Sequence, residues 1–297
     1  MGMDKPNVAE NSAGVKKFSD LWRSRQTKGN NVSVIQDFMK RIERAFTQDK
    51  VFIGFITAGD PSLEASEEFV LALEKGGADL IELGIPFSDP IAEGPVIQAA
   101  NVRALSAGVT VEKIFALVER LRLKTEIPLV FLTYFNPVFR YGCDAFFSRC
   151  QAAGVDGIII PDLPFEEQAE VRSVAQTHSI ALISLVAPTS EDRIAAIAAQ
   201  SDGFLYIVSS LGVTGIRSEI KTDLESIITA ARKHTKTPCV VGFGINTPEQ
   251  AAVISRVARG VIVGSAIVNI IAQHGAQSAA SLTEYAAKMK AALCSNQ

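Results

Sequence analysis

Eight parallel strands closed into a barrel, each followed by a helix, is the fold this sequence predicts, and three observations carry the prediction. Eight short runs rich in Val, Ile, Leu and Phe recur from residue 51 onward. They are apolar almost without interruption, as parallel strands covered on both faces are, whereas half-solvated antiparallel strands alternate. Helical patterns fill the intervals, and eight strand–helix units specify a closed (β/α)8 TIM barrel better than an open sheet. The open doubly wound alternative lacks its G-x-G-x-x-G fingerprint after the first strand.

In chain order, the strand runs are VFIGFIT (51–57), DLIELGI (79–85), PLVFLTY (128–134), GIIIPDL (157–163), ALISLVA (181–187), FLYIVSS (204–210), CVVGFGI (239–245) and GVIVGSA (260–266). Before the first, Ile35, Phe38, Met39, Ile42 and Phe46 recur at helical spacing, so an N-terminal helix is expected to close the bottom of the barrel with its apolar face. Ser62 and Thr110 are expected N-caps, Thr189 and Thr247 further candidates, and the paired Gly76 and Gly77 end the helix that Ser62 opens. The basic stretch RLRLK (120–124) reads as a solvated helix terminus, with cations where the helix dipole favours them. Two connections are long, from Pro86 to about Ala107 and from Ser210 to about Glu219, and long connections in compact domains are often functional. The barrel domain is expected over residues 34–297, with the polar residues 1–33, which hold the sole tryptophan, Trp22, as an appended tail.

Composition narrows the function. The chain has 297 residues, 47% hydrophobic and 21% charged, with a formal net charge of −3 and no basic block suited to nucleic acid or an anionic membrane. Four cysteines form no CxxC pair and three histidines are scattered, so neither a disulfide framework nor a metal site is expected. With no signal peptide and no apolar stretch near the roughly 20 residues that span a bilayer, a reduced, cytoplasmic protein is expected.

In such a barrel the site lies at the C-terminal ends of the strands, where inward polar residues stand out. Strand alternation puts Leu80, Glu82 and Gly84 on one face, and the matching inward sets are Ile53, Phe55, Thr57 and Val130, Leu132, Tyr134. A carboxyl at Glu82 walled by Phe55 and Leu132 has its pKa raised by desolvation, and can hold or exchange a proton near neutrality. Asp162 also ends a strand, but Asp there commonly starts a turn or caps a helix. Glycine-rich strand ends in the last third supply Gly215, Gly244, Gly264 and Ser265, whose main-chain amides and a following helix N-terminus suit a phosphate without any lysine or arginine. Cys143 and Cys150 read as packing residues. His178 reads as a helix-terminal one.

The stretches FITAGDP (55–61), ELGIPFSDPIAEGP (82–95), GVTG (212–215), GFGI (242–245) and GSAIV (264–268) occur in the order and spacing of the tryptophan synthase alpha subunit family, which the chain resembles from residue 39 to about 290. The resemblance implies retro-aldol cleavage of indole-3-glycerol phosphate into indole and glyceraldehyde 3-phosphate. It implies Glu82 as the acid/base at indole C3 and Glu93, where the family more often has aspartate, as the second carboxylate near the indole nitrogen. It further implies an indole pocket of Phe55, Leu132 and Tyr206, closure of Asp89 onto Thr214, and Pro86, Asp89 and Pro90 near a partner face. Ser210 stands where some members carry arginine. The implied partner is a beta subunit that holds pyridoxal phosphate and receives indole in an alpha2beta2 heterotetramer; no cofactor is implied in this chain. A stand-alone indole-3-glycerol phosphate lyase and a weakly catalytic regulatory subunit of the beta chain stay open as alternatives.

Overall fold

The structure, a computed structural model, describes residues 41–209 and 217–295, the side chains of 217–223 apart. Its elements in chain order are β1 (Val51–Thr57), α1 (Leu63–Lys75), β2 (Leu80–Gly84), α2 (Pro95–Ser106), α3 (Val111–Arg122), β3 (Leu129–Leu132), α4 (Phe135–Tyr141), α5 (Cys143–Ala153), β4 (Gly157–Ile159) and α6 (Gln168–Thr177). There follow β5 (Ala181–Val186), α7 (Glu191–Ala199), β6 (Leu205–Val208), α8 (Arg217–Arg232), β7 (Cys239–Gly242), α9 (Pro248–Ile254), β8 (Gly260–Val263), α10 (Ser265–His274) and α11 (Ala279–Cys294). The eight strands pair in sequence order and β8 closes on β1. The pairings β1–β2 and β1–β8 are parallel, as the rest are.

Alternation along each strand builds two cores. Ile53, Leu80, Val130, Ile159, Ile183, Tyr206, Val240 and Ile262 fill the barrel interior. Their neighbours Phe52, Ile81, Phe131, Ile158, Leu182, Ile207, Val241 and Val261 face the helical layer. This is why the strand runs are continuously apolar: both faces are buried. Register pairs Ile53 with Leu80 and Phe55 with Glu82, so the expected inward face of β2 is the observed one.

At the bottom of the barrel Ile42, 1% exposed, belongs to the interior cluster, and Phe46 packs on it with its ring 5.8 Å from that of Phe204. The described part of the N-terminal helix, residues 41–45, thus does the plugging expected of it. Ile35, Phe38 and Met39 lie outside the described residues, as do residues 1–33. Beside the plug, Asp156 is fully buried between Arg41 at 3.1 Å and Arg122 at 2.6 Å. The RLRLK stretch is therefore a solvated terminus only in part: Arg122 points inward, while Leu123 is exposed and the partly exposed Arg120 and Lys124 each reach Glu67 at 2.7 Å. Cation spacing alone could not distinguish a solvent-facing stripe from one turned toward a buried acid.

Ser62, Thr110 and Thr247 cap their helices, Thr247 in a full capping box with Gln250. Helix α7 is capped by Ser190, not Thr189; the two hydroxyls are adjacent in sequence and only the second accepts from Arg193 N. The long connection after β2 is not all loop, since α2 occupies twelve residues of it. Asp162 has the structural task expected of it, accepting from Phe135 N at 2.9 Å at the start of α4. Cys150 is buried on α5, where Cys143 is its first residue, and both are free thiols. His178 caps the end of α6 and meets Asp144 at 2.9 Å.

Candidate active site

The C-terminal ends of the strands surround a cavity of ≈280 Å³. Phe55 enters from β1, Glu82 from β2, Leu132 from β3, Tyr206 from β6 and Ile262 from β8, while Ile97 of α2 and Gly264 and Ser265 at the start of α10 close its sides. Among the described residues that line it there is no lysine or arginine.

Glu82 is 1% exposed. Burial without a cation alongside pushes its carboxyl up to about 8. Its Oε1 has no hydrogen-bond partner among the described residues. A neutral carboxylic acid at pH 7 with a free oxygen on an apolar cavity is a group able to give a proton to a bound molecule and take one back. Tyr206, 5% exposed, keeps its proton too, because burial and the nearby Glu82 both raise its pKa.

Two glycines make room for these walls. A Cβ on Gly84 would lie 2.7 Å from the Phe55 ring, and one on Gly242 only 2.2 Å from the Tyr206 hydroxyl. Larger residues there would push the aromatic rings into the cavity.

Glu93 lies in the loop between β2 and α2 and lines the same cavity. Its Oε2 accepts from Asn101 Nδ2 at 3.0 Å and its carbonyl from Gln98 Nε2 at 2.8 Å, while Ala92 N donates to the Tyr134 hydroxyl at 2.9 Å. Burial raises the Glu93 carboxyl, against hydrogen bonds from Asn101 and Tyr134 that lower it. Helix α2 is itself tied to the barrel by a two-point ion pair, Arg103 Nε and Nη2 to the Asp60 carboxylate, both at 2.7 Å. Asp60, from the AGDP stretch, is 1% exposed.

The end of β7 turns sharply. Phe243 (φ 70°) and Gly244 (φ 73°) are both left-handed, and both line the cavity. After the neighbouring strand β8, Gly264 is the N-cap of α10 and has no side-chain cap, so the first amides of that helix are left for a ligand. Free main-chain amides of this kind suit a phosphate.

The structure thus brings together Phe55, Glu82, Glu93, Leu132, Tyr206, Gly244, Gly264 and Ser265. Thr214, Gly215 and Ser210 lie outside the described residues, and with them the expected Asp89–Thr214 contact. Asp89 is exposed, Pro90 half-buried and Pro86 buried, so of these three only the first two present surface. Sequence reasoning missed Asn101, Asp60, Arg103 and Phe243. Asn101 had a readable signal: it falls four residues after Ile97 on the inner face of α2, an amide where an apolar residue would pack. Among the described residues no group of His, Cys, Asp and Glu could hold a metal, and no helix is long and apolar enough to cross a membrane.

Residues 43–294 match the family described as tryptophan synthase alpha chain. A tryptophan synthase alpha chain from Lactiplantibacillus plantarum is 50% identical over 256 residues, 86% of this chain and 97% of that one. Among solved structures, tryptophan synthase subunit alpha from Legionella pneumophila superposes with a TM-score of 0.77 at 36% identity, covering 88% of this chain and 98% of its own. A chain of the tryptophan synthase a2b2 complex from Pyrococcus furiosus gives a TM-score of 0.74 at 34% identity, over 82% of this chain and 99% of its own.

Proposed function

The chain belongs to the tryptophan synthase alpha chain family, and from that premise we propose how its cavity performs the family's lyase reaction, cleavage of indole-3-glycerol phosphate into indole and glyceraldehyde 3-phosphate. The observation that carries the reading is the buried, protonated Glu82 with an unpartnered oxygen on an apolar cavity.

The bond to be broken joins indole C3 to a carbon bearing a hydroxyl. It cannot break until C3 is tetrahedral, which requires a proton. Glu82 supplies that proton. The ring nitrogen then carries positive charge, and Glu93, braced by Asn101, is the anion that stabilises it by accepting a hydrogen bond from the N–H, which keeps its proton so that neutral indole is released. Glu82, now ionised, accepts the hydroxyl proton as the carbon–carbon bond opens. Phe55, Leu132 and Tyr206 hold the indole ring between the two carboxyls. The amides at Gly264 and Ser265, with Gly244 and, by family resemblance, Thr214 and Gly215, hold the phosphate, and this remote grip positions the reacting bond.

No cofactor is assigned to this chain. The reading gives pyridoxal phosphate to a beta subunit that receives the indole in an alpha2beta2 assembly. Ile91, Val102 and Phe139 support a partner face: each is more than six-tenths exposed, on elements at the cavity end of β2 and β3. Asp89 and Pro90 belong to the same connection. The reading also keeps residues 1–33 as a tail outside the barrel and the chain in the cytoplasm.

The test is the rate of indole release from indole-3-glycerol phosphate by the full chain alone and with a beta subunit added. Clear stimulation by the partner is expected; fast, unstimulated turnover would favour a stand-alone lyase, and no turnover in either case would sink the enzymatic reading. In the same assay Glu93→Gln, which keeps size but not charge, should cost about 10²-fold in kcat, and Asn101→Ala about tenfold through a misplaced carboxylate. A fully active Asn101→Ala would show that the brace is idle.

A further inference from the structure

Phe243 is one of two non-glycine residues with positive φ among the described residues, and it lines the cavity. A bulky side chain adopts that region at a cost, so neighbouring structure must hold it there. Downstream, the turn is fixed by Gln250, whose Oε1 accepts from Asn246 N at 2.8 Å and Thr247 N at 3.1 Å. Asn246 Nδ2 also reaches Gly244 O at 3.3 Å. Upstream, the grip comes from Ser209, the residue after β6. It is 4% exposed; its N–H donates to Gly242 O at 3.1 Å and its hydroxyl to Phe243 O at 2.7 Å. These are two bonds from one residue onto two successive carbonyls, at the point where β7 leaves the ladder and turns left-handed.

What the turn presents follows from that grip. Gly244 has no side chain, so its contribution to the cavity is main chain. The Phe243 ring stands edge-on to Tyr206 with centroids 6.0 Å apart. We propose that Ser209 is a positioning residue for substrate binding: its hydroxyl holds the Phe243 carbonyl so that Phe243 stays left-handed and Gly244 stays aimed at the phosphate. The inference rests on the phosphate-binding reading of the cavity and names a residue outside the cavity lining that tunes it. Ser209 touches no substrate; it acts through Phe243.

The test compares Ser209→Ala with the native chain, both as the complex with a beta subunit, in steady-state cleavage and in titration with inorganic phosphate. KM should rise about tenfold, phosphate affinity should weaken by a similar factor, kcat should stay within about threefold, and amide exchange at Phe243 and Gly244 should quicken. In a Phe243→Asn background, where the residue tolerates the left-handed region unaided, the same Ser209→Ala change should have little effect. Unchanged KM and phosphate affinity, a loss confined to kcat, or an equal cost in both backgrounds would overturn the proposal. Failure of the native chain to bind phosphate or cleave the substrate would instead strike at the functional reading itself; the exchange measurement would still decide whether Ser209 holds the turn.

Discussion

Glu82→Gln should lower indole release by at least about 10²-fold, the scale for losing a general acid/base, and at the same time stabilise the folded chain at neutral pH. Both effects follow from one burial. In the unfolded chain the carboxyl ionises near its ordinary value of about 4.5, while in the fold it holds its proton up to about 8. Below the first value both states are protonated and folding is not penalised. Between the two, folding must take up a proton, and stability falls as pH rises, by about 1.4 kcal/mol per unit. At pH 7 the penalty is roughly 3 kcal/mol. Glutamine escapes it. Urea denaturation at pH 5 and at pH 7.5 measures the difference, and the gap between variant and native chain should widen at the higher pH. An equal gap at both would mean that Glu82 is ionised in the fold and cannot be the acid. Cleavage by the native chain should fall as pH rises through about 8, where the proton-donating form disappears.

Arg122→Ala should cost about 3–5 kcal/mol of stability without touching the cavity, because it leaves a buried acid short of its partner. Asp156 has no solvent exposure, and Arg122 approaches it at 2.6 Å. The same guanidinium caps Gly154 O at 2.8 Å and Ile127 O at 2.7 Å. Alanine would strand both carbonyls as well. Arg41 at 3.1 Å and Leu129 N at 2.8 Å remain and cap the damage. Denaturant midpoints read the loss, while kcat of the protein still folded should be unchanged. A cost below about 1 kcal/mol, the usual range for an exposed pair, would mean that water replaces the arginine freely.

Strand starts and the inward face of β2 were legible in the sequence because burial on both faces leaves a continuous apolar signature. Strand ends were not. The run expected at 157–163 pairs only over Gly157–Ile159, and that at 239–245 only over Cys239–Gly242. Past the last ladder bond the chain is still apolar because it lines a cavity, as Pro161, Phe243 and Ile245 do, so hydropathy reports burial and not pairing. Glu82 could be found since a carboxylate inside such a run is conspicuous. Its counterpart Glu93 came only by resemblance, for its position depends on contacts across the chain: Asn101 on α2, Tyr134 after β3, and Arg103 reaching back to Asp60. Arg122 was misread for the same reason, its partner lying 34 positions away.

The lack of lysine and arginine among the described residues that line the cavity bears on how substrate would arrive as well as how it would be held. On the proposed reading, main-chain amides stand in place of charged side chains, Glu82 is neutral at pH 7 and Glu93 is anionic, so the described lining offers no cationic field to draw a phosphate in from a distance. Capture then depends on short-range fit of oriented dipoles, which added salt screens weakly once water is excluded. Added salt, which weakens attraction between opposite charges, would then not slow substrate encounter, and discrimination among anions would rest on the shape of what carries the phosphate.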